Sequence, residues 1–156
     1  MLDRLSRKEA GEPTPPFDPA TTAQLQSRFR QLDAALGLAD KAAMNMTFFE
    51  RQFFSVNVAL GLQVAERQTA AALKLEEALR ASDAAEMWRL VLEAREPLEQ
   101  LEVELARAEY PPFDRWYHES WIRSARSPNN PHRPYKQLRA FIASGGHGAL
   151  ERPPAR

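Results

Sequence analysis

Apolar residues recur along this chain at intervals of three and four residues, which is the spacing of one face of an α-helix. The first such stretch begins at Asp18, a favourable N-cap whose carboxylate accepts a backbone N–H, and Pro19 suits the first helical position. Gly37 is a typical C-cap, so the pattern predicts a first helix that ends there. Its apolar positions are Leu25, Phe29, Leu32 and Leu36.

A second helix is predicted over residues 40–80, and its apolar stripe is unusually wide. At ~1.5 Å per residue this helix is ~60 Å long. A helix of that length in a small domain either bends, with Gly61 as the candidate position, or projects at one end. The width of the stripe predicts burial against more than one neighbour, and it includes Leu38, Phe48, Phe49, Phe53, Phe54, Val56, Leu60 and Val64.

A third helix is predicted to begin at Asp83, with Glu86 three residues later in a capping-box arrangement. Pro97 removes one backbone hydrogen bond and predicts a kink near Glu93. The apolar positions form a heptad seam that packs either against the second helix or against a second chain. The seam consists of Met87, Val91, Ala94, Leu98, Leu101, Leu105 and Ala108.

These patterns predict an all-α fold: a small helical bundle with two long antiparallel helices and a shorter N-terminal helix. A C-terminal aromatic helix-loop-helix cap completes it, with a final short helix that ends at Gly145 and Gly146. Residues 1–17 have the composition of a disordered linker, residues 18–145 form the bundle domain, and residues 146–156 form a disordered tail.

Charge and composition narrow the classes of function. Lys plus Arg and Asp plus Glu both number 21, so the whole chain has no net attraction to nucleic acid or to an anionic membrane, and neither is an expected partner. There is no cysteine, which excludes disulfides and thiolate chemistry. The longest apolar run, Val58–Leu62, is far shorter than the ~20 residues of a membrane span. With no secretory signal pattern at the N-terminus, we expect a cytoplasmic location.

One stretch, residues 115–135, is unlike the rest of the chain, and it reads RWYHESWIRSARSPNNPHRPY. Its aromatic rings either close the end of the bundle or form a surface on which sugar rings stack. A binding surface here consists of Trp116, Tyr117, Trp121, His132, Arg133 and Tyr135.

The same stretch supplies no convincing catalytic or metal site. Asp114 and Glu119 are five residues apart on one short predicted helix, whereas glycosidase carboxylates face each other across a cleft. His118 and His132 are separated by a proline-rich loop, which does not match zinc-ligand spacing. We therefore predict no catalytic residue, no metal site and no cofactor.

Three prolines stiffen the loop between residues 127 and 134. Two interpretations remain open. Either the loop crosses the bundle end, with Asn129 and Asn130 hydrogen-bonding helix termini, or it presents His132 and Arg133 to a ligand.

Residues 109–143 contain EYPPFDRWYHESWIRS followed by NNPHRPYKQLRAFIAS. This segment resembles the C-terminal helical region of some bacterial glycoside hydrolases and related uncharacterised proteins. The resemblance implies a non-catalytic accessory module that braces a glycoside-hydrolase catalytic domain or lends it aromatic contacts with carbohydrate. The catalytic carboxylates of such enzymes lie in a separate upstream domain, so no catalytic residue carries over. The alternative is a structural bundle that forms a homodimer through the seam.

Overall fold

The computed structural model describes residues 1–14, 18–108 and 130–146. Within them the chain is all-α, with no strand, as the sequence patterns predict. The helices are α1 (Leu2–Glu9), α2 (Pro19–Ala43), α3 (Phe48–Phe54), α4 (Leu60–Arg80), α5 (Ala84–Glu93), α6 (Arg95–Arg107) and α7 (Arg133–Ala143), and a π-helical turn (Ser55–Ala59) joins α3 to α4.

Helix α4 lies at the centre of the bundle, where it packs against α2, α5 and α6. Two ion pairs show its direction relative to α5 and α6. Lys74 Nζ lies 3.2 Å from Glu93 Oε2, and Arg67 Nη2 lies 3.4 Å from Glu104 Oε1. Residue numbers rise along α4 as they fall along its partners, so α4 runs antiparallel to α5 and α6.

The predicted seam of α5 and α6 is confirmed as the core of the bundle, since each of its seven residues is buried. At one end it joins Leu75 and Ala78 of α4 and Phe141 of α7, and at the other end it meets Val56 and Leu60. Because the seam is buried within a single chain, a second copy cannot reach it unless α4 moves away.

The predicted kink is confirmed as a break between two helices. Helix α5 ends at Glu93, Ala94 forms a turn, and α6 begins at Arg95. Pro97 lies in the first turn of α6, where its missing N–H is tolerated. At the start of α5, Asp83 Oδ1 accepts the Glu86 N–H at 2.8 Å, but the Glu86 carboxylate pairs with Arg89, so only half of the predicted capping box forms.

Helix α2 begins as predicted but ends later. Asp18 accepts hydrogen bonds from the Ala20 N–H at 3.0 Å and from Thr21 Oγ1 at 2.7 Å. The predicted end at Gly37 is wrong, because the helix continues to Ala43. Gly37 does not adopt the left-handed backbone that a glycine C-cap requires, whereas Gly145 and Gly146 do so after α7, with φ of 61° and 84°.

The prediction that residues 1–17 form a disordered linker is wrong for the first nine. Leu2 and Leu5 lie on one face of α1 and are buried in the same core as Leu75 and Phe141. The sequence signal was weak because only two apolar residues mark this helix among polar neighbours. The described part of the bundle therefore includes α1.

Polar contacts also attach α1 to the bundle. Lys8 Nζ donates to the carbonyl oxygens of Ala78, Leu79 and Ala81 at 3.2, 2.6 and 2.7 Å. These carbonyls lie at the C-terminal end of α4, where Ala78 O also accepts the Ala81 N–H at 3.3 Å, so the ammonium group helps to cap the helix and complements its dipole. Burial lowers the pKa of Lys8.

We expect Leu5→Ala to lower the free energy of unfolding by about 2–5 kcal/mol, because its side chain is fully buried and truncation leaves a cavity. Leu92→Ala is the matched control, since Leu92 is 48% exposed. Urea unfolding followed by circular dichroism measures both. Equal, small effects would show that α1 does not belong to the core.

We expect Gly37→Ala to raise the free energy of unfolding by about 0.5–1 kcal/mol, because alanine favours a helix interior. A Cβ at Gly37 meets no atom within 4 Å. Gly146→Ala is the contrasting variant, since its Cβ would meet Glu9 and Trp88 side-chain atoms at 3.1 Å and its backbone is left-handed. Thermal unfolding should therefore shift in opposite directions for the two variants, and a loss at Gly37 would contradict the expectation.

Candidate functional site

Three of the six predicted binding residues lie at the start of α7. His132, Arg133 and Tyr135 occupy its first turn, beside α6. The other three, Trp116, Tyr117 and Trp121, lie outside the described residues, as do Asp114, His118 and Glu119. A shared aromatic and cationic surface of all six therefore stays a prediction.

His132 contacts α6 through its imidazole ring. Its Nδ1 lies 2.9 and 2.8 Å from the two carboxylate oxygens of Glu102. A carboxylate can only accept, so Nδ1 carries the proton in this arrangement. The His132 backbone N–H donates to Asn130 Oδ1 at 3.0 Å, and Asn130 is itself buried.

Neighbouring contacts also hold this part of the chain against the bundle. The Tyr135 hydroxyl donates to Glu99 Oε1 at 3.3 Å, and Gln68 Nε2 donates to the Pro131 carbonyl at 3.5 Å. In the described part of the proline loop, Asn130 bonds the start of α7 and the His132 ring faces Glu102. Asn129 lies outside the described residues, so the choice between the two interpretations of the loop stays a prediction.

Sequence reasoning missed a partly buried charge cluster between α4 and α6, in which Glu66 is the buried member. Arg67 Nη1 lies 3.3 Å from Glu66 Oε2, and Arg67 Nη2 lies 3.4 Å from Glu104 Oε1. The Oε2 atoms of both glutamates are buried and accept no hydrogen bond from any described residue. No local pattern marks Glu66 as buried, because the charges of α4 are spread over several faces.

Glu66 is only 7% exposed, and burial raises the pKa of its carboxyl group. Arg67 opposes that rise in pKa, while Glu104 and Asp33 add to it. Beside Glu66 and Arg67, a cleft of about 580 Å³ opens between α2 and α4. Within the described ranges, no three His, Asp or Glu side chains are arranged to hold a metal ion.

The largest departure from the predicted burial is at α3. The rings of Phe48, Phe49 and Phe53 are 73%, 79% and 58% exposed, although the sequence predicts that they are buried. The prediction is wrong because no residue of α3 is buried. This helix is the projecting end that the ~60 Å length estimate allowed. We call Met44, Phe48, Phe49, Phe53 and Val58 the α3 face; all five are exposed.

Local polar contacts fix the geometry of α3. Thr47 and Glu50 form a capping box, in which the Thr47 N–H donates to Glu50 Oε2 at 2.8 Å. Arg51 donates to the carbonyls of Ala43 and Met46 at 3.1 and 3.3 Å. The helix is therefore held in place while Phe48, Phe49 and Phe53 stay exposed.

The irregular backbone between α3 and α4 lies at the π-turn, just before the predicted bend at Gly61. In a π-turn the hydrogen bonds shift by one residue, and such turns are frequent at functional sites. Asn57 Nδ2 donates to the Phe53 carbonyl at 2.8 Å, which stabilises the turn under the α3 face.

No protein-family model matches the chain, and no curated protein or solved structure is detectably similar to it. The resemblance to glycoside hydrolases thus gains no support from these comparisons. In the part of the chain that the structure describes, no helix has both the length and the apolar character of a membrane span.

We expect Glu66→Gln to stabilise the fold relative to wild type by an amount that grows as the pH rises above the ordinary pKa of glutamate, about 4.3. The pKa of Glu66 is raised on folding, so the unfolded chain loses this proton first, and wild-type stability falls as the pH rises above that ordinary value. Urea unfolding at several pH values measures the difference. Glu77→Gln, on the exposed side of α4, is the control, and a difference independent of pH would contradict the expectation.

Proposed function

We propose that this chain is a helical interaction module that binds a protein partner through the α3 face. The observation that carries the proposal is the exposure of Phe48, Phe49 and Phe53 on a helix with no buried residue. Binding through a preformed surface needs no catalytic group.

The size of the exposed area supports this function. A buried aromatic side chain covers ~150–250 Å², so at their observed exposures the three rings leave on the order of 300–500 Å² accessible. Patches of that size are the largest that monomeric proteins usually carry, and they often mark interaction sites. Phe48 and Phe49 contact each other edge to face, with centroids 5.6 Å apart, so the surface is continuous at that point.

The way in which α3 is held adds to the argument. Its capping box, the Arg51 contacts and the Asn57 hydrogen bond are all polar and local. Because the exposed rings of Phe48, Phe49 and Phe53 are not required to position this helix, they are available to a partner. Binding by a pre-ordered helix also avoids part of the entropy cost of association.

The accessory role implied by the resemblance stays a prediction. It places contacts at Trp116, Tyr117, Trp121, His132, Arg133 and Tyr135, with a carbohydrate or a glycoside-hydrolase catalytic domain as the partner. The His132 and Tyr135 side chains already bind Glu102 and Glu99 of the same chain. The α3 face is therefore the better-supported contact surface.

We expect the double variant Phe49→Gln/Phe53→Gln to change the free energy of unfolding by no more than about 0.5 kcal/mol, as is usual for exposed positions. Glutamine keeps the helix propensity and removes the apolar rings. The measurement is urea unfolding at submicromolar protein, so that self-association does not contribute.

Leu60→Ala is the control for this measurement, since Leu60 is buried directly after the π-turn and should lose about 2–5 kcal/mol. A loss of similar size in the double variant would show that the rings belong to the chain's own core, and the proposed function would then be wrong.

A further inference from the structure

We propose that the partner of the α3 face is a second copy of this chain, bound as a two-fold symmetric dimer. This inference rests on the proposed function and names its partner. In a two-fold interface the same patch lies on both sides, so the patch must be complementary to itself.

The charges around the α3 face meet that requirement. Helix α3 has one acid and one base, Glu50 and Arg51, which are adjacent in sequence. The end of α2 likewise has Asp40 next to Lys41. Two copies of such a surface do not repel each other, and opposite charges can meet across the axis. A strongly acidic or basic partner finds no net charge there to select it.

The apolar part of the face is also complementary to itself. Phenylalanine rings pair favourably edge to face, in the geometry that Phe48 and Phe49 already show within one chain, with an interplanar angle of 80°. The same rings from a second copy can extend this packing.

The small area indicates a transient complex. The three rings supply on the order of 300–500 Å² per copy, below the ~800 Å² per partner of a standard interface. Interfaces at that low end are typical of transient complexes. The dimer is therefore expected to form and separate as the protein concentration changes.

Sedimentation velocity from about 1 µM to about 500 µM tests the dimer, since mass action makes dimerisation depend on concentration. The wild-type mass is expected to rise from 17.7 kDa towards twice that value. The Phe49→Gln/Phe53→Gln variant should remain a monomer throughout. The control Leu92→Gln/Val103→Gln removes two apolar side chains of 48% and 49% exposure on α5 and α6, and it should dimerise like the wild type.

Photo-cross-linking identifies the partner that binds the α3 face. Position 49 carries p-benzoylphenylalanine, and chains labelled with ¹⁴N and ¹⁵N are mixed before irradiation. A dimer gives mixed-isotope products that join position 49 to α3 of the other copy. Products within one chain only, or a wild-type monomer at every concentration, would overturn the dimer. The unfolding measurement tests the proposed interaction module separately, because the protein is monomeric at submicromolar concentration.

Discussion

The fold depends on the burial of the α5–α6 seam against α4. Met87, Val91, Leu98, Leu101 and Leu105 are each nearly inaccessible, and apolar burial is the largest favourable term in folding. One strip of side chains therefore fixes the position of two helices at once. Because the break at Ala94 lets α5 and α6 follow α4 with different directions, the seam stays buried along its whole length.

Helices α1 and α7 attach to α4, α5 and α6 by specific contacts in addition to the burial of apolar surface area. Lys8 caps the carbonyl end of α4, and Trp88 stacks on Phe141 with ring centroids 5.6 Å apart, which links α5 to α7. Near the other end, His132 and Glu102 hold the start of α7 against α6. These contacts, together with the burial of Leu5 and Phe141, place α1 and α7, and no described element covers the α3 face.

The parts of this fold that could be predicted are those where local pattern and burial agree. The seam, the Asp18 and Asp83 caps and the break before Pro97 all follow from spacing and backbone chemistry. Phe49 and Phe53 have the same helical spacing, yet they are exposed, because periodicity reports which side of a helix is apolar and not whether a neighbour covers it. Leu5 was missed for the opposite reason, since two leucines suffice when the rest of the core is already present. Glu66 gave no signal, because its burial follows from how α2 and α6 meet on α4.

Stability and the proposed binding thus involve different parts of the same helical hairpin. The core side chains of α4 are shielded on several sides, while α3 extends the same helical path beyond the π-turn with its rings exposed. Hydrophobic burial alone does not explain an ordered helix of this composition, since Phe54 is only half-buried and the other three phenylalanines are exposed. Its order follows from the capping box, the Arg51 contacts and Asn57, which together satisfy the ends of a short helix that is marginal by itself. Polar contacts hold three aromatic rings of this chain in solvent, so the conformational entropy of ordering that surface is lost on folding and not on binding. Preorganisation of this kind allows a small apolar patch to bind with useful affinity.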